Sequence, residues 1–318
     1  MGNRLIKGLG KINFSIPKLL SFSVKRSLTF KVGSSLKTLH RLMALTDRGA
    51  LRPGSRICDI GATQLFGAHA MEGACAFLDF YASRRPGVRK ADQVDRSTLE
   101  KISQGGFLGE LLVLAGFEYL SLDIFEGYQT ILFDLNVHAP GPRLASSFDL
   151  VMNLGTTEHV FHQYRAFQTL HDLLKPGGAL YCDLPMGGFL QHAFFRYDPL
   201  FFEALAKANQ YETVLQAISL GAEQPIPATL KNQGLSIQAM EDIGIEAVFR
   251  KTTSDPFRIH LETSTSLALD PRLAKAQAAG LVEIPATTSV HYGSTLSIGG
   301  RGSHNDEKIP FWRRWWHR

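Results

Sequence analysis

Between residues 56 and 184 the chain alternates short apolar runs with stretches of helical spacing, the pattern of an open α/β sheet. The runs at 56–60 (RICDI), 119–124 (YLSLDI), 130–135 (TILFDL), 148–153 (FDLVMN) and 179–184 (ALYCDL) predict five strands. Continuous apolar runs of this length fit strands covered on both faces, as in a parallel sheet. Between the fourth and fifth, Val160, Phe161, Tyr164, Phe167, Leu170 and Leu174 recur at helical spacing and predict a helix over 158–174. Pro176-Gly177-Gly178 then stops it, because proline cannot continue a helix and glycine accepts positive φ. A further helix is predicted over 199–208 (PLFFEALAKA), and strands over 213–219 and 245–251. The long connection after the first strand holds a helix over 70–83, a polar basic loop over 84–96 and a helix pair ending near Gly116.

Composition narrows the class without naming a function. With 318 residues, 44% hydrophobic and 20% charged, the chain has the make-up of a folded globular protein of one large or two modest domains. Three cysteines (Cys58, Cys75 and Cys182) without paired spacing fit a reducing compartment and no zinc knuckle. Charge is unevenly placed. Residues 1–46 hold nine Lys or Arg and no acid, while 47–318 carry 25 basic and 29 acidic side chains. The body is therefore slightly acidic, which argues against a nucleic-acid partner.

The two ends differ from the body. The basic arm over 1–46 mixes its cations with Leu5, Ile6, Leu9, Ile12 and Phe14, and fits an anionic membrane surface, an acid-poor transit peptide or a solvated tail. The last residues, FWRRWWHR, contain all three tryptophans and suit a membrane interface, a protein–protein anchor or packing onto the body. The expected organisation is an arm over 1–46, a catalytic domain over 47–252 and a C-terminal extension over 253–318. The expected location is the cytoplasm, with peripheral membrane contact through the two tails as an open alternative.

Ligands of open parallel sheets collect beyond the C-terminal strand ends. Four polar signals fall there: Asp59-Ile60-Gly61-Ala62, Asp123, Asp134-Leu135-Asn136 and Asn153-Leu154-Gly155-Thr156-Thr157-Glu158-His159. Glycine lets a ligand approach the backbone, a helix start offers free N–H groups, and an acid closing a strand can accept hydrogen bonds from vicinal ribose hydroxyls. With RICDIGA (56–62), LDI (122–124), FDLVMNLGTTEHV (148–160) and LLKPGGALYCDLP (173–185), roughly residues 50–220 resemble the class I, S-adenosylmethionine-dependent methyltransferases.

That resemblance implies a Rossmann-like, mostly parallel seven-stranded sheet with helices on both faces, here with a helical insertion over 68–116 after the first strand. It implies S-adenosyl-L-methionine as cofactor. Asp59, Gly61 and Ala62 would belong to the loop near its methionine part, Asp123 would hold the ribose, and Asp134 with Leu135 would flank the adenine. Asn153, Leu154 and Gly155 would line the methyl-donor side. Two departures stand out. Thr63 and Leu65 occupy positions where the family's first loop usually has glycine, and the connection to the second strand is much longer than usual.

Methyl transfer needs two aligned partners and, for many acceptors, a base. Glu158, His159 and His192 are the candidate catalytic residues, with a helix-start acid and structural histidines as their ordinary alternatives. No metal is assigned, since two adjacent residues, Glu158 and His159, are too few ligands. The segment 185–197 (PMGGFLQHAFFRY) reads as an acceptor lid, with Arg196 facing either an anionic acceptor or a surface acid. The expected activity is O- or N-methylation of a small-molecule, lipid or sugar acceptor. The alternative is a membrane-associated interaction protein that keeps the fold and has lost the cofactor through Thr63 and Leu65.

Overall fold

The computed structural model describes residues 33–34, 36–189, 191–220, 226–227 and 242–260, all within one unit that spans 1–267. The predicted basic arm up to residue 32 and the tryptophan-rich tail lie outside the described residues. In chain order the strands are β1 (Gly33–Ser34), β2 (Arg56–Ile60), β3 (Gln64–Leu65), β4 (Glu118–Asp123), β5 (Thr130–Leu132), β6 (Phe148–Leu154), β7 (Leu174–Gly187), β8 (Glu212–Leu220), β9 (Ile226–Pro227) and β10 (Ile243–Arg250). The helices are α1 (Leu36–Asp47), α2 (Ala70–Ala82), α3 (Arg96–Ser103), α4 (Leu108–Leu114), α5 (Gln163–Leu173) and α6 (Pro199–Ala208).

The main sheet runs β5-β4-β2-β6-β7-β10-β8-β9: the seven expected strands with the short β9 added at one edge. β2, β4, β5, β6 and β7 are mutually parallel, and β10 is antiparallel to both β7 and β8. Strand order reverses around β2, with β4 on one side and β6 on the other, which is where a crevice opens in such sheets. The register fixes the rim. Ile60 pairs with Leu122 and with Asn153, and Asn153 pairs with Cys182. The residues that follow these positions therefore leave the sheet along one edge.

Two apolar layers sandwich the sheet, and alternate strand residues feed them. Ile57, Leu150, Met152 and Tyr181 pack with Leu39, Leu42, Phe77, Leu99 and Leu111 of α1 to α4. Cys58, Val151, Leu180 and Cys182 pack with Phe167, Leu170, Phe202 and Leu205 of α5 and α6. The insertion is thus a helical layer that supplies much of one core.

Helix α1 extends the packed body back to Leu36, inside the segment read from the sequence as an arm. Leu39, Leu42 and Leu45 are buried, each worth about 1.5–3 kcal/mol. Its two cations face acids of the sheet. Arg41 donates from Nε and Nη2 to the fully buried Glu246 at 2.7 Å each, and the Tyr181 hydroxyl donates to the same carboxylate at 2.8 Å. Lys37 pairs with Asp183 at 2.5 Å.

The predicted helix over 158–174 begins later than its apolar spacing indicates. Thr157–His159 is a single 3-10 turn, and α5 starts at Gln163 with the His162 ring accepting from the Arg165 N–H at 3.4 Å. Asn153 is the reason. Its Nδ2 donates to Thr157 Oγ1 at 2.8 Å and its Oδ1 accepts from Thr157 N–H at 3.2 Å, which holds the chain in a tight turn before the helix can begin. Glu158 is therefore not a helix-start acid.

Candidate active site

The first loop is built on Asp59. This buried carboxylate accepts from Thr63 N–H at 3.0 Å, Thr63 Oγ1 at 3.0 Å and the Tyr119 hydroxyl at 2.9 Å. Burial pushes its pKa up to about 7 against the pull of these three donors. Asp59 shapes the loop from within rather than facing an open cleft. Thr63 and Leu65 are both fully buried, Thr63 on Asp59 and Leu65 in the core beside α2. Both side chains, at the positions where the resemblance expects glycine, are thus packed inside the domain.

Gly61 does stand at the rim. Its φ of +84° is a glycine conformation, and any Cβ there would run into Thr156 Oγ1. Thr156 in turn donates to the Ile60 carbonyl at 2.5 Å, so the loops after β2 and β6 touch. Asp123 closes the other side. Its Oδ2 accepts from Ala62 N–H at 2.8 Å and its Oδ1 from Phe125 N–H at 3.0 Å. Each carboxylate oxygen can accept more than one hydrogen, so both retain capacity for a ligand hydroxyl. Gly155, at φ +82°, lies next to Glu158, whose Oε1 would be 3.4 Å from an added Cβ.

Other expected residues sit deeper. Asn153 is fully buried and spent on Thr157, and Leu154 and Leu135 belong to the two cores. Asp134 accepts from the backbone and side-chain N–H groups of Asn136 at 2.8 and 2.9 Å, which hold its carboxyl below the usual range. Arg196 donates to the carbonyls of Gly188 and Phe189 at 2.7 and 2.6 Å, so it clamps its own loop rather than a surface acid.

Glu158, His159 and His192 come together. One ligand-type atom from each lies within 4.8 Å of the others. Glu158 is 1% exposed, and burial raises its carboxyl to about 7. Burial, and then the neighbouring His192, lower the pKa of His159, which favours its neutral ring. Asp183, on β7 opposite Leu154, adds negative charge near Glu158 and is held by Lys37. Sequence reasoning passed over this pair, because Asp183 sits inside an apolar run and Lys37 inside a basic one. A cleft of about 470 Å³ lined by Gln104, Gly106, Phe107, Gly127 and Tyr128 belongs to the insertion and includes none of these residues.

Residues 129–182, from the turn before β5 to the middle of β7, match the family described as methyltransferase domain. The matched segment covers 54 of the 318 residues and lies within the parallel part of the main sheet. No curated protein matches the sequence. Among solved structures, 1,6-didemethyltoxoflavin-N1-methyltransferase from Burkholderia thailandensis is 13% identical, covering 68% of this chain and 78% of that one at a TM-score of 0.38. A TehB-like methyltransferase from Corynebacterium glutamicum is 17% identical, covering 66% and 86% at a TM-score of 0.37. Among the described residues, no helix is long and apolar enough to cross a membrane.

Proposed function

We propose that this protein is a methyltransferase that transfers the methyl group of S-adenosylmethionine to a small-molecule acceptor, with lipid and sugar hydroxyls included in that class. The observation that carries the reading is the meeting of Gly61, Asp123 and Gly155 on one rim, beside the cluster of Glu158, His159 and His192. The residues present fit the cofactor: a glycine cradle that a Cβ would fill, and an acid with free acceptor capacity.

In this reading Gly61 and Ala62 take the methionine end, and Asp123 accepts from the ribose hydroxyls. The backbone of 134–135 borders the adenine, while Asn153 and Leu154 act from behind by holding the turn that presents Gly155. Bound there, the cofactor supplies an electrophilic methyl group on a sulfonium. The chain's task is to align the acceptor and to accommodate its proton. Glu158, His159 and His192 are placed for that task. Phe161 and Phe194, exposed and paired edge-on at 6.4 Å, offer apolar surface beside them, which favours an acceptor with a flat or greasy part.

In the same reading the segment 185–197 is the acceptor lid. The test is incubation of the full chain with donor labelled in the methyl group and a fractionated metabolite and lipid extract. Label should move into a small-molecule or lipid fraction. Label that moves only into nucleic acid or protein, when these fractions of the same cells are offered in parallel, would contradict the acceptor class.

A further inference from the structure

The Glu158 carboxylate is an anomaly for a group so deeply placed. Among the described residues its Oε2 is buried without a hydrogen-bond partner, a costly arrangement that calls for a ligand. Its Oε1 lies 3.9 Å from His192 Nε2, and the rings of His159 and His192 meet edge-on at 5.0 Å. An unsatisfied carboxylate oxygen and two imidazoles thus converge on one point.

The backbone brings His192 there by an unusual route. Gly188, Phe189 and Gln191 all have positive φ (+67°, +46° and +60°), and the N–H groups of Phe194 and Phe195 both donate to the Glu158 carbonyl at 3.1 Å. The loop is bent and stapled to the very residue whose Oε2 lacks a partner among the described residues. Positive φ at two non-glycine residues is strain that the local contacts must offset.

We propose that Glu158, His159 and His192 form a divalent transition-metal site at the mouth of the cofactor cradle. One carboxylate and two imidazoles are the donor set of zinc and of manganese, iron or cobalt in their divalent states, rather than of magnesium or calcium. Bonds of ~2.0–2.2 Å bring such ligand atoms closer together than the 4.8 Å limit seen here, and the exposed His192 on its loop is the member free to close in. Three protein ligands leave a position open to a ligand from solution.

The site deepens the functional reading, and its role rests on that reading. An acceptor oxygen at the open position would lose its proton more readily, which commits the acceptor to a hydroxyl rather than an amine. The balance is simple. The acceptor O–H gives its proton to solvent, an O–CH₃ bond forms as the S–CH₃ bond breaks, and the sulfonium leaves as a neutral thioether.

The experiment uses the full chain after chelator treatment, with Co²⁺ alone as a spectroscopic probe and Zn²⁺ in competition. The proposal expects visible Co²⁺ bands displaced by Zn²⁺, and a loss of affinity of roughly 100-fold or more in both His192→Ala and Glu158→Gln. Binding of S-adenosylhomocysteine, measured calorimetrically in the same variants, reports whether they are folded. Absence of Co²⁺ binding in wild type, or equal uptake by wild type and both folded variants, overturns the metal site. Co²⁺ binding that depends on these residues, without S-adenosylhomocysteine binding, leaves the metal site standing and removes the methyltransferase role.

Discussion

The Thr156 hydroxyl donates to the Ile60 carbonyl across 2.5 Å and thereby joins the ends of the two central strands at the point where Gly61 turns. The contact leaves no room for a side chain on Gly61. Gly61→Ala adds a left-handed penalty of about 1–2 kcal/mol to a collision with Thr156. Its melting temperature should fall, and its affinity for S-adenosylhomocysteine should drop about tenfold or more. Gly61→Ala with Thr156→Ala should recover part of the stability, since the collision goes while the φ penalty stays. Parallel melts and titrations of the two variants measure this.

Helix α1 belongs to the packed body. A chain starting at residue 36 keeps Leu39, Leu42 and Leu45 in the core and should unfold cooperatively near the full-length temperature. A chain starting at residue 48 loses all three, at about 1.5–3 kcal/mol each, and should be aggregated or unfolded. Circular dichroism melts of both fragments decide the boundary.

The sheet was legible because its strands are continuous apolar runs, which parallel pairing with both faces covered requires. Helix α6 was legible to the residue, since Pro199 opens it and Asp198 Oδ1 caps Leu200 N–H at 2.8 Å. Helix α1 was hidden by its charges: Lys37 and Arg41 look like part of a basic tail until Asp183 and Glu246, far along the chain, are seen to meet them. The late start of α5 was hidden for a related reason, because the Asn153–Thr157 pair overrides the helical spacing that begins at Val160. At the site, the strand-end positions of Gly61, Asp123 and Gly155 followed from the pattern. That Asp59, Asn153 and Leu154 are buried, and that His192 meets Glu158, depends on loop paths that no local pattern encodes.

The Arg41–Glu246 pair joins α1 to β10 in the interior. Arg41→Ala leaves the fully buried Glu246 without its cation and should lower unfolding free energy by about 3–5 kcal/mol. Arg41→Met with Glu246→Leu removes both charges and should restore most of that loss. Urea unfolding of the three proteins at one pH gives the comparison.

His171 carries an acid-side dependence of stability. Its ring lies between the Tyr211 hydroxyl (2.6 Å) and the Asp255 carbonyl (2.8 Å), and burial, then Lys251, lower its pKa from 6.5 to about 4. A depressed pKa means stability that is present above about pH 6.5 and lost as pH falls toward 4, on the order of 3 kcal/mol. Asp59, raised to about 7, works in the opposite direction, since its proton is held more tightly in the folded chain. His171→Gln should therefore lose less stability than wild type between pH 7 and pH 5. Equal losses in the two proteins would show that His171 does not titrate in this way.

The central claim is that one rim of the sheet binds the adenosyl cofactor through Asp123, and the most direct test is calorimetric titration of S-adenosylhomocysteine into wild type and Asp123→Ala. One site per chain in wild type, with affinity reduced by roughly 100-fold or more in the folded variant, is the predicted result. Wild-type affinity in Asp123→Ala, or no binding to wild type at millimolar ligand, would contradict it.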